Sequence, residues 1–227
     1  MLAGTSYSSS STLITGRSHR IVVDTGLVLQ EGALIDALHA NGLEPGDIDI
    51  VANTHLHLDH CSNNAIFPRA LIVMSQAEWR WTSAFYEALF ASSAPERVAP
   101  EFYPEIASYE LQTRTVRNVA RVARLFWNRQ RLGDEERFRW LESWDLPPGL
   151  EILASPGHTP HHVSIRVAGP APVIIAGDAV MAEDASARVR TMIPYSRAQF
   201  AATRQALLDR GDRILPGHGV AFQPGQP

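Results

Sequence analysis

Short runs of apolar residues recur along the chain, separated by glycine, proline and aspartate. Five of these runs are 20–23, 48–54, 150–154, 173–176 and 214–215. Apolar runs of this length with such boundaries predict buried β-strands. Each run ends at a polar residue or a glycine turn. We therefore expect the strand ends to meet at a shared sheet edge, where loops can build a functional site.

Segments with helical periodicity lie between these runs. The pattern predicts one helix over 31–41, which ends at Asn41-Gly42, and another over 197–210, which ends at Gly211. The residues before the first of these helices predict a β-hairpin of 7–15 with 20–23. Alternation of strands and helices favours α/β layers over an all-β barrel. We expect a single α/β domain over residues 1–227.

The stretch 76–146 has a different character, because it contains all five tryptophans. It predicts a mainly helical, aromatic-rich and arginine-rich insertion that acts as a lid or wall over a site, or as a homodimer surface. An apolar stripe at helical spacing is expected to pack on the domain, and an arginine stripe on another face is expected to meet water. The apolar stripe is Val116, Val119, Ala120, Ala123, Phe126 and Trp127. The arginine stripe is Arg114, Arg117, Arg121 and Arg124.

The composition narrows the function classes. The chain has 227 residues and a formal net charge of −4, which argues against partners such as nucleic acid or an anionic membrane. Its single cysteine, Cys61, excludes an intrachain disulfide, and neither a signal peptide nor an apolar run of about 18 residues is visible. We expect a cytoplasmic protein. All 20 basic residues are arginine, so lysine-based nucleophilic chemistry is excluded.

The densest chemical signal is the hexapeptide His55-Leu56-His57-Leu58-Asp59-His60 after a predicted strand. Spacing of i, i+2 places His55 and His57 on one side of an extended segment. Asp59 and His60 would then turn through the following loop toward a second ion. Three histidines and an aspartate within six residues are hard to explain as structural residues, because burying them unpaired is costly. The hexapeptide therefore predicts metal ligands.

Further ligands follow the other predicted strands. His158, Asp178 and His218 each come at or just after a strand end. With the hexapeptide they make seven ligands, a number that suits two divalent metal ions sharing one carboxylate. Imidazole and carboxylate without thiolate suit zinc, and also iron or manganese.

Together these motifs resemble the metallo-β-lactamase-fold hydrolase superfamily. The matching pieces are DTG at 24–26, HLHLDH at 55–60, GHTPHH at 157–162, GD at 177–178 and GHG at 217–219. The resemblance implies an αββα sandwich with a dinuclear metal site at one edge. It implies that one ion is held by His55, His57 and His158 and the other by Asp59, His60 and His218, with Asp178 bridging them.

Four residues near these motifs have two readings each. Asp24 either orients a ligand by a hydrogen bond or caps the turn before Gly26. His161 and His162 either contact substrate or are structural, and His161 stands where the superfamily usually has glycine. Cys61 is a thiolate ligand or a small buried residue, and free cysteine usually behaves as the latter.

The resemblance also implies a reaction. A hydroxide bridging the two metal ions would attack a lactone, ester or thioester carbonyl of a small-molecule substrate. Asp59 would be catalytic, orienting the nucleophile and carrying a proton to the leaving group.

Within the superfamily, Asp178 points away from true β-lactamases, which typically lack it. It points toward the N-acyl homoserine lactonase and glyoxalase II-like branch. The stretch 42–47 looks like the lactonases, but these usually place a tyrosine where this chain has Met181. Substrate specificity is expected to lie in the 76–146 insertion and near Tyr195. Two alternatives remain open, a phosphodiesterase or nuclease of the same fold and a non-catalytic metal-binding relative.

Overall fold

Two β-sheets form the centre of the protein in the computed structural model, which describes residues 9–106, 113–182 and 194–225, without the side chains of 113–115. The strands of the first sheet, in spatial order, are β1 (Thr12–Thr15), β2 (Arg20–Val23), β3 (Ile50–Ala52), β4 (Leu71–Met74) and β5 (Phe138–Trp140). β1 is antiparallel to β2, and the remaining pairs are parallel.

The second sheet follows later in the chain. Its strands, in spatial order, are β6 (Leu150–Ala154), β7 (Val163–Val167), β8 (Val173–Gly177) and β9 (Arg213–Pro216). β6, β7 and β8 are antiparallel neighbours, and β9 is parallel to β8.

The helices lie outside the sheets. They are α1 (Glu31–His39), α2 (Leu58–Cys61), α3 (Gln76–Ala91), α4 (Pro95–Phe102), α5 (Thr113–Phe126), α6 (Arg129–Leu132) and α7 (Arg197–Asp209). The predicted helices 31–41 and 197–210 are thus present with slightly earlier ends. None of the described helices combines the length and the apolar character that a membrane-crossing helix needs.

Alternating side chains along the strands explain the layers. Ile21 and Val23 of β2 face Ile165 and Ile175 of the second sheet in one buried cluster. Val22 points the other way, because successive strand residues face opposite sides. It packs with Leu34 and Leu38 of α1 and with Phe67.

The second sheet repeats this arrangement. Ile174 and Ile214 turn away from the first sheet and pack against Leu207 of α7. The order of layers is therefore α1, first sheet, second sheet and α7, which confirms the αββα sandwich.

The predicted strands need two corrections. Their ends do not belong to one sheet edge, because β2 and β3 lie in the first sheet and β6, β8 and β9 in the second. The edge that they share is that of the sandwich. The run 150–154 is a strand but is not buried, since it is the outer strand of its sheet and Glu151 and Ala154 are exposed.

The helical insertion is shorter than 76–146. Helices α3 to α6 end at Leu132, and Phe138–Trp140 then returns to the first sheet as β5, parallel to β4. The chain re-enters the sheet here because Phe138 buries its ring beside Ile72 and Met74.

Helix α5 carries both predicted stripes. Val116, Ala120 and Ala123 are buried, whereas Val119 is 48% exposed and does not belong to the packed stripe. The side chains of Arg117, Arg121 and Arg124 are exposed, as predicted, and that of Arg114 lies outside the described residues. The homodimer through the insertion stays a prediction.

The N-terminal hairpin is present in its described part. Strand β1 begins at Thr12 and pairs with β2 from Thr12 opposite Val23 to Thr15 opposite Arg20. Residues 7 and 8 of the predicted first strand lie outside the described residues.

Candidate metal centre

Segments that follow four strands deliver the predicted ligands to one edge of the sandwich. β8 and β9 are parallel, with Gly177 opposite Pro216, so the loops after both strands leave the sheet side by side. β3 ends at Ala52 and leads into the hexapeptide, and β6 leads into the turn before His158. Loops at such strand ends are held by a rigid sheet while their side chains stay accessible. These segments carry His55, His57, Asp59, His60, His158, Asp178 and His218.

Each of the seven side chains lies within contact distance of at least one other member of the set. His57 Nδ1 is 2.8 Å from His158 Nε2. Asp178 Oδ2 is 3.3 Å from His158 Nε2, and its other oxygen, Oδ1, is 3.3 Å from both His60 Nε2 and His218 Nε2. The Asp178 carboxylate therefore stands between His158 on one side and His60 and His218 on the other.

Three groups of side chains each place their ligand atoms within 4.8 Å of one another. They are His55 with His57 and His158, His55 with His60 and Asp178, and Asp59 with His60 and His218. The first and third groups are the two ligand sets that the resemblance implies. We call the first the three-histidine group.

Three side-chain atoms of this cluster that could bind a metal ion have no hydrogen-bond partner among the described residues. His55 Nε2, His60 Nε2 and Asp178 Oδ1 are buried in this state. A buried polar atom without a partner costs about 1–3 kcal/mol, so such atoms are rare in folded proteins. A divalent cation satisfies nitrogen and carboxylate donors of this kind. The residues therefore fit the metal ions that the motifs imply.

Burial and neighbouring charges shift the pKa values of the histidines in opposite directions. Burial lowers the pKa of His55 and His158 well below the usual value, so both imidazoles are neutral at pH 7, the form that binds metal. Burial also lowers the pKa of His60, but the nearby carboxylates of Asp178 and Asp24 outweigh it and raise the net pKa well above the usual value. Asp178 is buried, which raises its pKa, yet His60 and the other imidazoles bring it well below the usual range.

Asp24 holds His60 in place. Its Oδ2 accepts from His60 Nδ1 at 2.8 Å and from Thr54 Oγ1 at 2.8 Å, and its Oδ1 accepts from the Thr54 backbone N–H at 2.9 Å. Because Nδ1–H is donated to Asp24, Nε2 of the same ring is left to face the cluster. The backbone of Asp24 has a φ of 54°, which residues other than glycine rarely adopt, and the three hydrogen bonds offset this strain. Of its two readings, the structure supports the orienting one.

The structure supports a structural role for His162 and for Cys61, whereas both interpretations of His161 stay predictions. His162 is buried, Ser155 Oγ lies 2.8 Å from its Nδ1, and its Nε2 accepts from the Asp178 backbone N–H at 3.1 Å. Burial lowers its pKa to about 3, so it is a neutral, structural histidine that fixes the backbone of Asp178. His161 is exposed, and the buried Cys61 thiol donates to the His57 carbonyl at 3.2 Å.

Tyr103 is a contact that sequence reasoning missed. It follows α4 in the insertion, and its hydroxyl lies 2.6 Å from His57 Nε2. Nδ1 of His57 faces His158. If Nδ1 binds a metal ion, Nε2 carries the proton and donates to Tyr103 Oη. The only sequence signal was the concentration of aromatic residues in the 76–146 stretch.

Replacing Tyr103 by phenylalanine is expected to weaken metal binding by about tenfold or more, because hydrogen-bond partners of metal-binding histidines typically contribute 10–100-fold. Phenylalanine keeps the ring that packs on Trp81 and Phe85. Competition with a chromophoric chelator measures the affinity. Tyr86→Phe is the matched control, because that ring stacks on Trp127 in the same aromatic cluster. Equal affinities in both variants would contradict the role assigned to the Tyr103 hydroxyl.

An aromatic wall continues from Tyr103 away from the cluster. The ring of Trp81 lies 5.3 Å from that of Tyr103 and 6.0 Å from that of Tyr195, both edge to face. Phe85 and Phe102 complete the contacts. The insertion and the segment around Tyr195 thus meet beside His57, where specificity was predicted.

The fold and this cluster define a class of protein, and sequence comparison identifies it. The sequence model of the metallo-beta-lactamase superfamily matches residues 4–218. The chain therefore belongs to the metallo-β-lactamase superfamily, as its motifs predicted.

Two curated relatives share between a quarter and a third of the aligned residues with this chain. The chain is 29% identical over 206 residues to metallo-beta-lactamase domain-containing protein 1 of Homo sapiens, covering 89% of this chain and 59% of the human protein. It is 26% identical over 138 residues to an N-acyl homoserine lactonase of a Bacillus species, covering 61% of this chain and 40% of the lactonase. The chain thus spans about three fifths of the length of the human relative.

A solved structure shows the same fold at low identity. AidC, a dizinc quorum-quenching lactonase in complex with a product, superposes with a TM-score of 0.62 at 18% identity. The match covers 92% of this chain and 71% of the AidC chain.

Proposed function

We propose that the protein is a dinuclear-metal-dependent hydrolase that cleaves a lactone, ester or thioester. The observation that carries the proposal is the cluster of ligand groups around Asp178, with the buried donor atoms His55 Nε2, His60 Nε2 and Asp178 Oδ1 directed into it. Superfamily membership and the similarity to a named lactonase support a hydrolase.

Each ligand set would hold one of the two metal ions. The three-histidine group would hold one cation, Asp59, His60 and His218 would hold the other, and Asp178 would contact both. When bound, the ions supply Lewis acidity that polarises the substrate carbonyl and activates the attacking water. Nitrogen and carboxylate donors without a thiolate suit zinc, and also iron or manganese. A cytoplasmic location is part of the proposal and rests on the single, buried cysteine.

Asp59 is the proposed catalytic residue. Its side chain is 28% exposed, whereas that of Asp178 is 4% exposed, so Asp59 is the carboxylate of the pair that reaches an incoming substrate. Its Oδ2 is 3.4 Å from His218 Nε2. From this position the carboxylate can accept a proton from the attacking water and pass it to the leaving group.

The aromatic wall supports an acyl substrate. The partly exposed rings of Trp81 and Tyr195 provide apolar surface for the acyl part of a lactone, ester or thioester, and the buried ring of Tyr103 contacts both Trp81 and His57. The backbone carbonyl of Met181 accepts from the His218 N–H at 2.7 Å. This bond does not depend on the side chain at position 181, where lactonases usually have tyrosine. The Tyr103 hydroxyl is a phenol that contacts the site.

The phosphodiesterase alternative gains no support from the arginine stripe. Arg117 already pairs with Glu96 at 2.6 Å, and Arg124 donates to the Phe90 carbonyl at 2.6 Å. Both arginines lie on the exposed side of α5, opposite the buried Ala120 and Ala123.

A substrate panel tests the proposal. The protein is assayed on an N-acyl homoserine lactone, an acyl thioester and a bis-aryl phosphodiester, as purified, after chelation and after Zn²⁺ is restored. We expect hydrolysis of at least one carbonyl substrate that chelation abolishes and Zn²⁺ restores. Hydrolysis of the phosphodiester alone would favour the phosphodiesterase. No hydrolysis by protein that elemental analysis shows to be metal-loaded would favour a non-catalytic metal-binding relative.

A further inference from the structure

A buried glutamate of the insertion lies beneath the metal-binding loops. Glu78 is in the first turn of α3 and is 1% exposed. The spacing of Ser75 and Glu78 is that of a capping box, in which the glutamate bonds back to the start of its own helix. Ser75 Oγ does accept from the Glu78 backbone N–H at 3.2 Å. The Glu78 carboxylate, however, bonds elsewhere.

Another residue caps this helix. Glu142, which follows β5, accepts from the backbone N–H of Gln76 at 2.9 Å and from Ser75 Oγ at 2.8 Å. The Glu78 carboxylate is therefore not needed for the helix terminus.

The Glu78 carboxylate instead joins the two loops of the three-histidine group. Its Oε1 accepts from the backbone N–H of Leu56, between His55 and His57, at 3.4 Å. Its Oε2 accepts from Thr159 Oγ1, next to His158, at 2.8 Å. Thr82 Oγ1 also donates to this carboxylate, at 3.2 Å.

We propose that Glu78 is a positioning residue that presets the three-histidine group for its cation by holding the hexapeptide and the His158 loop together. This inference rests on the proposed metal site. Glu78 does not ligate the ion. It fixes the backbone next to the three imidazoles. Ion binding therefore does not have to order two separate loops, which would cost conformational entropy.

The cost of burying this carboxylate supports a functional reason for it. Burial raises the pKa of Glu78 to about 7, against the hydrogen bonds that lower it. A buried carboxyl group with this pKa opposes folding at neutral pH, where a chain selected for stability alone would favour an apolar residue.

Metal binding by two variants tests the proposal. Co²⁺ is titrated into chelator-treated wild type, Glu78→Gln and Glu78→Ala, and the visible spectrum reports the coordination geometry of each equivalent. We expect one of the two equivalents to bind about 10–100-fold more weakly in Glu78→Ala, with an altered spectrum, and the other to change little. Glu78→Gln, which keeps one acceptor oxygen, is expected to be intermediate, and it decides the matter if the alanine variant does not fold.

Glu142→Gln is the matched control, because Glu142 bonds to the same helix but not to the loops. It is expected to lower the melting temperature of the metal-free protein while both Co²⁺ affinities stay at the wild-type level. Wild-type affinity and spectrum in both Glu78 variants would overturn the proposal. So would equal weakening of both equivalents in Glu78→Gln and Glu142→Gln, because that result would indicate a general effect of stability.

The same titration separates this inference from the proposed function. If wild type binds two equivalents and hydrolyses a carbonyl substrate but the Glu78 variants bind as wild type does, only the role of Glu78 is wrong. If wild type binds no Co²⁺, the proposed metal site fails and the role of Glu78 fails with it.

Discussion

Replacing Asp178 by asparagine is expected to slow hydrolysis severely and to reduce the bound metal from two ions toward one. The carboxylate reaches both ligand sets, with Oδ2 at 3.3 Å from His158 Nε2 and Oδ1 at 3.3 Å from His218 Nε2. Asparagine has nearly the same shape but offers one oxygen and no charge. Lewis-acid stabilisation is worth several kcal/mol and each ~1.4 kcal/mol is tenfold in rate, so we expect kcat/KM to fall by about 10³-fold.

Elemental analysis and steady-state kinetics on the same preparation check this expectation. Asp212→Asn is a suitable control, since Asp212 is also a buried carboxylate but lies before β9, at the far end of the strand from His218. It pairs with Arg166 at 2.6 Å, so its loss is expected to lower stability and leave the metal content unchanged. An Asp178→Asn protein that retains two ions and its activity would refute the bridging role.

The sequence predicted the residues at the core of this site because the candidate ligands lie at strand ends. His55, His57, His158 and Asp178 each follow an apolar run, and parallel or neighbouring strands bring such positions to one edge. Local patterns therefore carried enough information to identify the candidate ligands. They did not show that β2 and β3 belong to one sheet and β8 and β9 to the other, because pairing depends on the whole sandwich.

Contacts made through the insertion were not predictable in the same way. Tyr103 and His57 are 46 residues apart, and Glu78 and Thr159 are 81 apart. No local spacing links such pairs, since their contact depends on how α3 and α4 pack on the sheets. For Glu78 the local spacing to Ser75 is that of a capping box, yet its carboxylate bonds to the loop that carries His158.

Strands β4 and β7 were not among the named runs, and β5 was missed because its pattern is short. β5 has three residues in an aromatic stretch, and Phe138-Arg139-Trp140 gives too few alternations to distinguish a strand from a helix. Val119 was assigned to the buried stripe because helical spacing alone does not define the width of the packed face. The structure exposes Val119 because α5 contacts its neighbours mainly through the small residues Ala120 and Ala123.

Replacing Gly157 by alanine is expected to produce the largest loss of stability among single substitutions near the site. Gly157 has a φ of +134°, and a Cβ at this position would overlap the backbone N and Cα of Phe200 in α7. The overlap cannot be relieved by a side-chain rotation, because the overlapping atoms of Phe200 belong to the backbone. The loop is also held in place, because it is bonded to the start of α7. The backbone N–H of Ser196 donates to the Gly157 carbonyl at 3.0 Å, and Thr203 Oγ1 donates to the Pro156 carbonyl at 2.7 Å.

The expected loss in the free energy of unfolding is about 3–5 kcal/mol, the sum of the strained φ and the overlap. For a chain of this size that loss lowers the melting temperature by about 6–20 °C. Gly149→Ala isolates the first contribution, because Gly149 has a φ of +90° with no atom within 4 Å of the added Cβ, and it is expected to cost about 1–2 kcal/mol. Since the Gly157 loop carries His158, the Gly157 variant is also expected to bind metal more weakly than the Gly149 variant. Thermal unfolding of the two metal-free variants gives the comparison, and equal losses would show that the contact with α7 does not constrain the His158 loop.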